Sequence, residues 1–192
     1  TGVSVGAPGL VSTNFTWEKS ATTNFGLDFA LLKNRLTGSF DIYERRTRDM
    51  LVAGVPLPAV LGTAAPSQNA GTLVTKGWEL SVGWNDRIGD DLSYDVMLSL
   101  ADNHAKLTKY PLNTTKIFNN WYEGKLDGEI WGFETQGYFQ SQEEIDAAPK
   151  LTQVWGGTWR PGDIRYADLN NDGKIDFGNN TVDNPGDRKI IG

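Results

Sequence analysis

The sequence predicts a mainly β protein whose antiparallel strands form part of a transmembrane β-barrel. Three observations predict this fold class. Four segments alternate apolar and polar residues, the connections between them run short, long, short, long, and the apolar positions carry almost no charge. Successive side chains of a strand point to opposite faces, so each segment has one apolar and one polar face. Short turns on one side and long loops on the other are typical of outer-membrane barrels.

The four alternating segments are predicted to form two hairpins. The first hairpin covers residues 23–45 with a tight turn at Lys33 and Asn34, and the second covers 77–102 with a turn near Asp90. Strands of this length can cross a bilayer when they are tilted. Residues 1–22 are predicted to be a loop, and a long extracellular loop is predicted between the hairpins, with residues 47–52 a candidate extension of the second strand.

Residues 105–192 are predicted to form an extracellular loop region. Short strands are expected at 130–135 and 138–139. A short helix is expected at 141–148, because Ser141 and Glu144 match a capping box and a proline follows. The same region contains an acidic loop at 168–187.

The alternation by itself does not decide whether the apolar faces contact lipid or a second layer of protein. A soluble β-sandwich also alternates, with its apolar faces turned inward. A barrel is favoured by aromatic residues near strand ends and by acidic residues on the predicted lumen face. The aromatic residues are Phe25, Tyr43, Trp78, Trp84 and Tyr94, and the acidic ones are Asp28, Asp41, Glu79 and Asp95. A closed barrel needs at least about eight strands, so the chain is expected to be a fragment of a larger barrel.

Composition excludes several classes of function. The chain has 192 residues, a net charge of −6, one histidine and no cysteine. The acidic balance argues against a nucleic-acid partner, and the missing cysteine excludes disulfides and thiolate sites. No segment is apolar enough for a transmembrane helix, and no signal peptide is visible, so the chain is expected to start after any targeting segment or inside a longer protein. No pair of carboxylates or catalytic triad is evident, and neither an enzymatic activity nor any catalytic residue is predicted.

The acidic loop matches the first nine positions of a calcium-binding loop. Residues 168–176 read DLNNDGKID, which places oxygen-bearing side chains at positions 1, 3 and 5 and a glycine at position 6. Position 12 is Asn179, and residues 177–186 look like an insertion, so a later aspartate is expected to close the site. The predicted ligands of a structural Ca²⁺ are Asp168, Asn170, Asp172, Lys174 through its carbonyl, Asp176 and Asp187. The alternative is an Asx-rich turn that needs no ion.

Aromatic residues are concentrated in the final region. Flat aromatic rings can stack on sugar rings, but some of these side chains must also form the small core of the region. The candidate substrate-binding residues are Trp121, Trp131, Tyr138, Trp155 and Trp159.

Eight short segments resemble one family in order along the chain. They are residues 22–29 (TTNFGLDF), 34–43 (NRLTGSFDIY), 57–58 (LP), 69–71 (NAG), 76–80 (KGWEL), 132–140 (GFETQGYFQ), 161–170 (PGDIRYADLN) and 187–192 (DRKIIG). The chain resembles the C-terminal part of the SusC-like (RagA-like) TonB-dependent transporters of Bacteroidetes outer membranes. The resemblance covers the chain from about residue 13. In that family the acidic loop ends tightly, whereas this chain carries about eight extra residues before Asp187.

The resemblance implies a 22-stranded barrel in the outer membrane with an internal plug and long extracellular loops. It implies import of oligosaccharides, or of peptides in some members, with a SusD-like surface lipoprotein as partner and with energy from the TonB complex, which contacts an upstream part of the protein. The alternative function is a soluble, calcium-stabilised, β-rich module that binds glycans. The transporter hypothesis predicts an apolar sheet face with no protein over it, and the soluble module predicts a covered one.

Overall fold

The computed structural model describes residues 9–13, 15–152 and 157–192. The chain divides into two compact units. The first unit comprises Thr1–Pro111 and Gly124–Asp127, and the second comprises Leu112–Glu123 and Gly128–Gly192.

The first unit is a four-stranded antiparallel sheet in the order β1-β2-β3-β4. Its strands are β1 (Lys19–Leu31), β2 (Leu36–Val52), β3 (Gln68–Ile88) and β4 (Leu92–Lys109). The sheet is an open segment, with the two hairpins joined edge to edge through β2 and β3. The predicted fold class is therefore confirmed, as part of a barrel wall.

The strands extend further toward the long loops than the alternation predicted. β1 begins at Lys19, inside the segment predicted to be a loop, and β3 begins at Gln68 rather than at residue 77. The long connection between the hairpins is accordingly shortened to residues 53–67, with a 3-10 helix at Ala59–Leu61. Residues 19–22 and 68–76 lack a strict apolar–polar alternation, since Leu73 and Val74 are adjacent apolar residues. Hydrogen bonding between strands therefore continues where the period-two pattern has faded.

The second unit consists of short paired strands around one small helix. The strands are β5 (Trp131–Phe133), β6 (Thr135–Tyr138), β7 (Lys150–Leu151), β8 (Ile164–Tyr166), β9 (Lys174–Ile175) and β10 (Arg188–Ile190). β5 pairs with β10, and β6 pairs with β8, both antiparallel, while β7 and β9 are parallel. The described part of this unit is thus held by three separate pairs of strands rather than by one continuous sheet.

Helix α1 (Gln142–Ala147) lies where the capping box predicts it. The Ser141 hydroxyl accepts a hydrogen bond from the Glu144 backbone N–H at 3.4 Å. The Glu144 carboxylate, however, accepts from the backbone N–H of Gln140 at 2.9 Å, one residue before the expected donor. The cap therefore also fixes the chain entering the helix.

Buried apolar side chains are distributed very differently in the two units. Among the described residues of the first unit, only Val74 and Leu107 are buried hydrophobic residues. The second unit has a small core made of Phe118, Tyr122, Phe139, Ala167 and Ile175. No helix in the described part of the chain is long and apolar enough to cross a membrane.

Candidate functional site

The register of the sheet gathers the apolar side chains of all four strands on one face. Residues directly opposite each other on antiparallel strands point to the same side. The rows across this outward face are Phe25–Ile42–Trp78, Leu27–Phe40–Leu80–Leu100, Phe29–Gly38–Val82–Leu98 and Leu31–Leu36–Trp84–Val96. Phe25 remains 67% exposed, Val96 60% and Leu98 55%. A sandwich would bury these side chains, so the exposure is the result that the transporter hypothesis predicts.

One glycine lets the aromatic side chains of the outward face pack closely. Gly38 lies opposite Phe29, and a Cβ atom at Gly38 would come within 2.5 Å of the Phe29 ring. The same atom would lie 2.6 Å from the carbonyl oxygen of Ser81. The Phe29 ring therefore covers the glycine and fills the gap in that row.

The opposite face of the sheet is polar and acidic. Asp41 lies opposite Glu79 in the register, and Asp28 and Asp95 lie on the same side of the sheet. The Asn24 amide donates to the Asp41 carboxylate at 3.2 Å. Like charges directly across a strand pair are unfavourable unless water or polar groups screen them. This face is therefore suited to a wet interior and not to lipid.

The acidic loop of the second unit is a series of turns closed by its own side chains. The Asp168 carboxylate accepts the backbone N–H groups of Asp172 at 3.2 Å and Gly173 at 2.8 Å. The Asn170 and Asp172 side chains each accept the N–H two residues ahead, at 2.9 Å. Ile175 is fully buried and anchors the end of the loop. The side chains at loop positions 1, 3 and 5 thus accept hydrogen bonds from backbone N–H groups, which is the local behaviour expected of Asx turns.

Asp187 is the one buried charged residue among the described residues. Its two carboxylate oxygens accept the backbone N–H groups of Leu169 and Asp176, each at 2.9 Å. Its own N–H donates to the carbonyl of Asp176 at 3.1 Å. Asp187 therefore joins the start and the end of the acidic loop through backbone contacts.

Calcium binding by this loop stays a prediction. Within the described residues, no three Asp, Glu or His side chains are grouped so that they could hold a metal ion. If the loop binds Ca²⁺, calorimetry on the full-length protein should show binding that Asp172→Ala weakens at least about tenfold, because it removes one carboxylate ligand. The matched control is Asp183→Ala, an exposed aspartate outside the loop turns. Equal calcium binding by both variants and the unaltered protein would contradict the prediction.

The structure separates the candidate substrate-binding aromatics into core and exposed residues. Trp131 stacks on Phe118 with ring centroids 4.3 Å apart, so it belongs to the core of the second unit. Trp159 is half-buried and packs on Phe139 at 4.9 Å. Tyr138 is 63% exposed and Trp121 46% exposed, and both present a surface to solvent.

Trp155 lies outside the described residues. Substrate contact by any of these aromatics stays a prediction, with Trp121 and Tyr138 the more accessible pair.

Arg188 organises the inserted segment 177–186. Its guanidinium donates to the carbonyls of Phe177 (2.8 Å) and Pro185 (3.0 Å). It also donates to the side-chain oxygen of Asn180 at 3.0 Å. The same group lies over the rings of Phe118 and Phe177, 4.7 and 4.8 Å from their centroids. Burial lowers the pKa of Arg188 from its usual value, and these acceptors and aromatic faces compensate the buried charge.

A second polar contact closes the core of this unit. The hydroxyl of Tyr122 and the indole N–H of Trp131 both donate to the carboxylate of Glu129, the latter at 3.0 Å. Burial and the neighbouring Glu129 raise the pKa of Tyr122 to about 12. Tyr122 therefore keeps its proton, and its role as a donor, throughout the physiological pH range.

Sequence reasoning missed the organising roles of Arg188, Asp187 and Glu129. The segment 187–192 was recognised only as part of a family pattern, and Asp187 only as a metal ligand. A single sequence carries no signal for these roles, because each depends on how the chain folds back on itself and not on a motif of fixed spacing.

Comparisons with known proteins agree with this geometry. The model of the family described as TonB dependent receptor-like, beta-barrel matches residues 2–188. The chain is 31% identical to TonB-dependent receptor P3 of Formosa agariphila, over 93% of this chain and 18% of that protein. It is 28% identical to TonB-dependent receptor SusC of Bacteroides thetaiotaomicron, again over 93% of this chain and 18% of the relative.

Solved structures of the RagAB peptide importer share the fold. In its closed-closed state the TM-score is 0.54 at 26% identity, covering 80% of this chain and 17% of that one. Another RagAB peptide transporter structure gives a TM-score of 0.52 at 26% identity, over 71% of this chain and 15% of that one. The chain therefore spans less than a fifth of the length of these relatives. On the family match and the two-faced sheet, the chain belongs to the TonB-dependent receptor-like β-barrel family and is a SusC-like and RagA-like segment of it.

Proposed function

We propose that the full protein imports oligosaccharides or peptides across the outer membrane, and that this chain forms part of its barrel wall and extracellular loops. The observation that carries the proposal is the exposed apolar face of the four-stranded sheet. Phe25, Val96 and Leu98 are more than half exposed on that face, whereas the opposite face carries Asp41 and Glu79. A sheet with one apolar and one acidic face fits a wall between hydrocarbon and a wet interior.

The same observation disfavours the soluble glycan-binding module. A soluble sheet with this composition would cover its apolar side with a second layer, as sandwiches do. The edge of β1 is open, and β4 is open except at its long-loop end, where residues 105–107 pair with residues 124–127. These open edges fit further strands from the rest of a larger barrel, because unpaired strand edges are costly in lipid.

The substrate class and the partners rest on similarity and on accessible side chains. The RagAB relative is a peptide importer by description, and the SusC-like resemblance implies oligosaccharides. A SusD-like surface lipoprotein and the TonB complex are the partners that the resemblance implies. The exposed rings of Trp121 and Tyr138 are suited to contact either a sugar ring or a partner surface.

The proposal is tested by uptake in cells that carry or lack the full-length gene. We expect fluorescently labelled oligosaccharides or peptides of defined length to accumulate only in cells with the gene, and only while TonB is energised. The substrate that accumulates identifies the class. Equal accumulation of every probe in both strains, or no change after loss of TonB, would refute import by this protein.

A further inference from the structure

Basic side chains replace apolar ones on the outward face near the long-loop ends of the strands. Arg46 is four residues beyond Ile42, and Lys76 is two residues before Trp78, so both lie on the outward face. Lys106 lies on the same side, because it is an even number of residues beyond Leu100. In the register, Val74 lies between Arg46 on β2 and Lys106 on β4. Three neighbouring strands therefore each contribute one permanent cation to the same level of the face.

These side chains line a groove of about 390 Å³ within the first unit. Its lining is Arg46, Val74, Lys76, His104, Lys106, Thr108 and Leu126. Val74 is only 7% exposed and forms an apolar floor under the cations. None of the lining residues is acidic, so the groove presents only positive or neutral groups to a ligand.

Neighbouring acids neutralise the cations only in part. Glu44 lies 3.3 Å from the Lys76 ammonium and 2.9 Å from the Arg46 guanidinium. These groups are all substantially exposed, and exposed ion pairs are weak. Lys106 has no acidic partner within ion-pair distance among the described residues. The groove therefore keeps a surplus of positive charge beside Glu44.

A second acid near this level, Asp102, still leaves the cations in the majority. The three cations Arg46, Lys76 and Lys106 face two carboxylates, those of Glu44 and Asp102. Asp102 lies 3.5 Å from the His104 ring nitrogen, and both side chains are more than half exposed. The short-turn end of the outward face differs, because its charged residue Asp86 is paired with Arg35 at 3.4 Å. The cationic surplus thus belongs to the long-loop end alone.

We propose that this groove binds the phosphate of an anionic glycolipid headgroup in the outer leaflet of the outer membrane. The proposal rests on the proposed membrane location and extends it. The groove lies directly beyond the apolar rows, at the level where lipid headgroups meet a barrel, and on the side of the long loops, which are extracellular in such barrels. Outer-leaflet glycolipids carry phosphate on a sugar headgroup, and Lys and Arg side chains attract such groups over short range.

The test uses the full-length transporter, stripped of lipid in detergent and titrated with monophosphorylated lipid A under native mass spectrometry. We expect the double variant Lys76→Gln with Lys106→Gln to bind this lipid roughly 30-fold more weakly than the unaltered protein. Lipid A without its phosphate should bind both proteins equally. The matched control is Arg45→Gln with Lys33→Gln, which removes the same charge from the opposite face of β2 and from the short turn. It should bind like the unaltered protein.

Several outcomes would overturn the lipid site. They are equal binding of phosphorylated and dephosphorylated lipid, an unchanged affinity in the groove variant, or an equal loss in the control. Binding of inorganic phosphate with no response to the lipid would assign the groove to a free anion. If the groove variant lost a copurifying protein but kept its lipid binding, the groove would be assigned to a protein partner instead. Folding is checked by recovery of each variant from outer membranes. Absence of the unaltered protein from that fraction would instead refute the proposed function.

Discussion

Replacing Val96 with arginine is expected to destabilise the assembled barrel by about 2–4 kcal/mol. Val96 is 60% exposed and lies on the outward face opposite Trp84. A charged side chain there would face hydrocarbon, where water does not compensate its charge. The acid in the next row of that face, Asp86, is already paired with Arg35 at 3.4 Å. The measurement is the urea midpoint of the full-length protein in lipid vesicles, together with the amount recovered from outer membranes.

The control for this prediction is the neighbouring residue. Met97 is 71% exposed but lies on the opposite, polar face. Met97→Arg should therefore lower the stability of the assembled barrel by less than about 1 kcal/mol, because charges that face the lumen are tolerated. Equal losses from the two substitutions would mean that the faces do not meet different solvents, and the barrel-wall assignment would fail.

Replacing Asp187 with alanine is expected to open the acidic loop locally. The substitution leaves the N–H groups of Leu169 and Asp176 without their carboxylate acceptor in a site that is 0% exposed. Each of the two orphaned buried donors costs about 1–3 kcal/mol, so the local opening free energy should fall by about 2–6 kcal/mol. Hydrogen exchange of peptides covering residues 168–188 in the full-length protein should accelerate by roughly 30-fold or more.

Two further variants make the Asp187 result interpretable. Asp183→Ala removes an exposed carboxylate from the same segment and should leave exchange unchanged. Asp187→Asn keeps one acceptor oxygen and should produce a smaller acceleration than alanine. If calcium addition restored slow exchange in Asp187→Ala, the loop would hold an ion without its closing residue. Unchanged exchange in Asp187→Ala would refute the anchoring role.

The fold class was accessible from the sequence because the period-two alternation is a local property. The alternation of Phe25, Leu27 and Phe29 with polar residues predicts an apolar face from one strand alone. The capping box likewise placed helix α1 correctly, since its partners are three residues apart. Strand ends were less accessible: β1 and β3 continue past the alternating segments because hydrogen bonding between strands does not require an apolar pattern.

From the sequence, the candidate site could be predicted only as a set of residue types. Composition indicated that aromatics crowd the final region, but it could not separate the exposed ring of Tyr138 from Trp131, which packs on Phe118. The motif identified the acidic loop, yet the use of Asp187 as a backbone acceptor follows from contacts with Leu169 and Asp176, which the motif does not specify.

What the chain determines by itself is the local pattern: which side chains share a face within one strand and where turns interrupt it. Only the tertiary structure decided which strands lie side by side and in which register. Arg46, Lys76 and Lys106 are far apart in the sequence, yet pairing of three strands brings them around one groove. The physical reason is that neighbouring strands lie about 4.8 Å apart whatever the length of chain between them. Such groupings depend on backbone hydrogen bonds between distant segments, which no local pattern encodes.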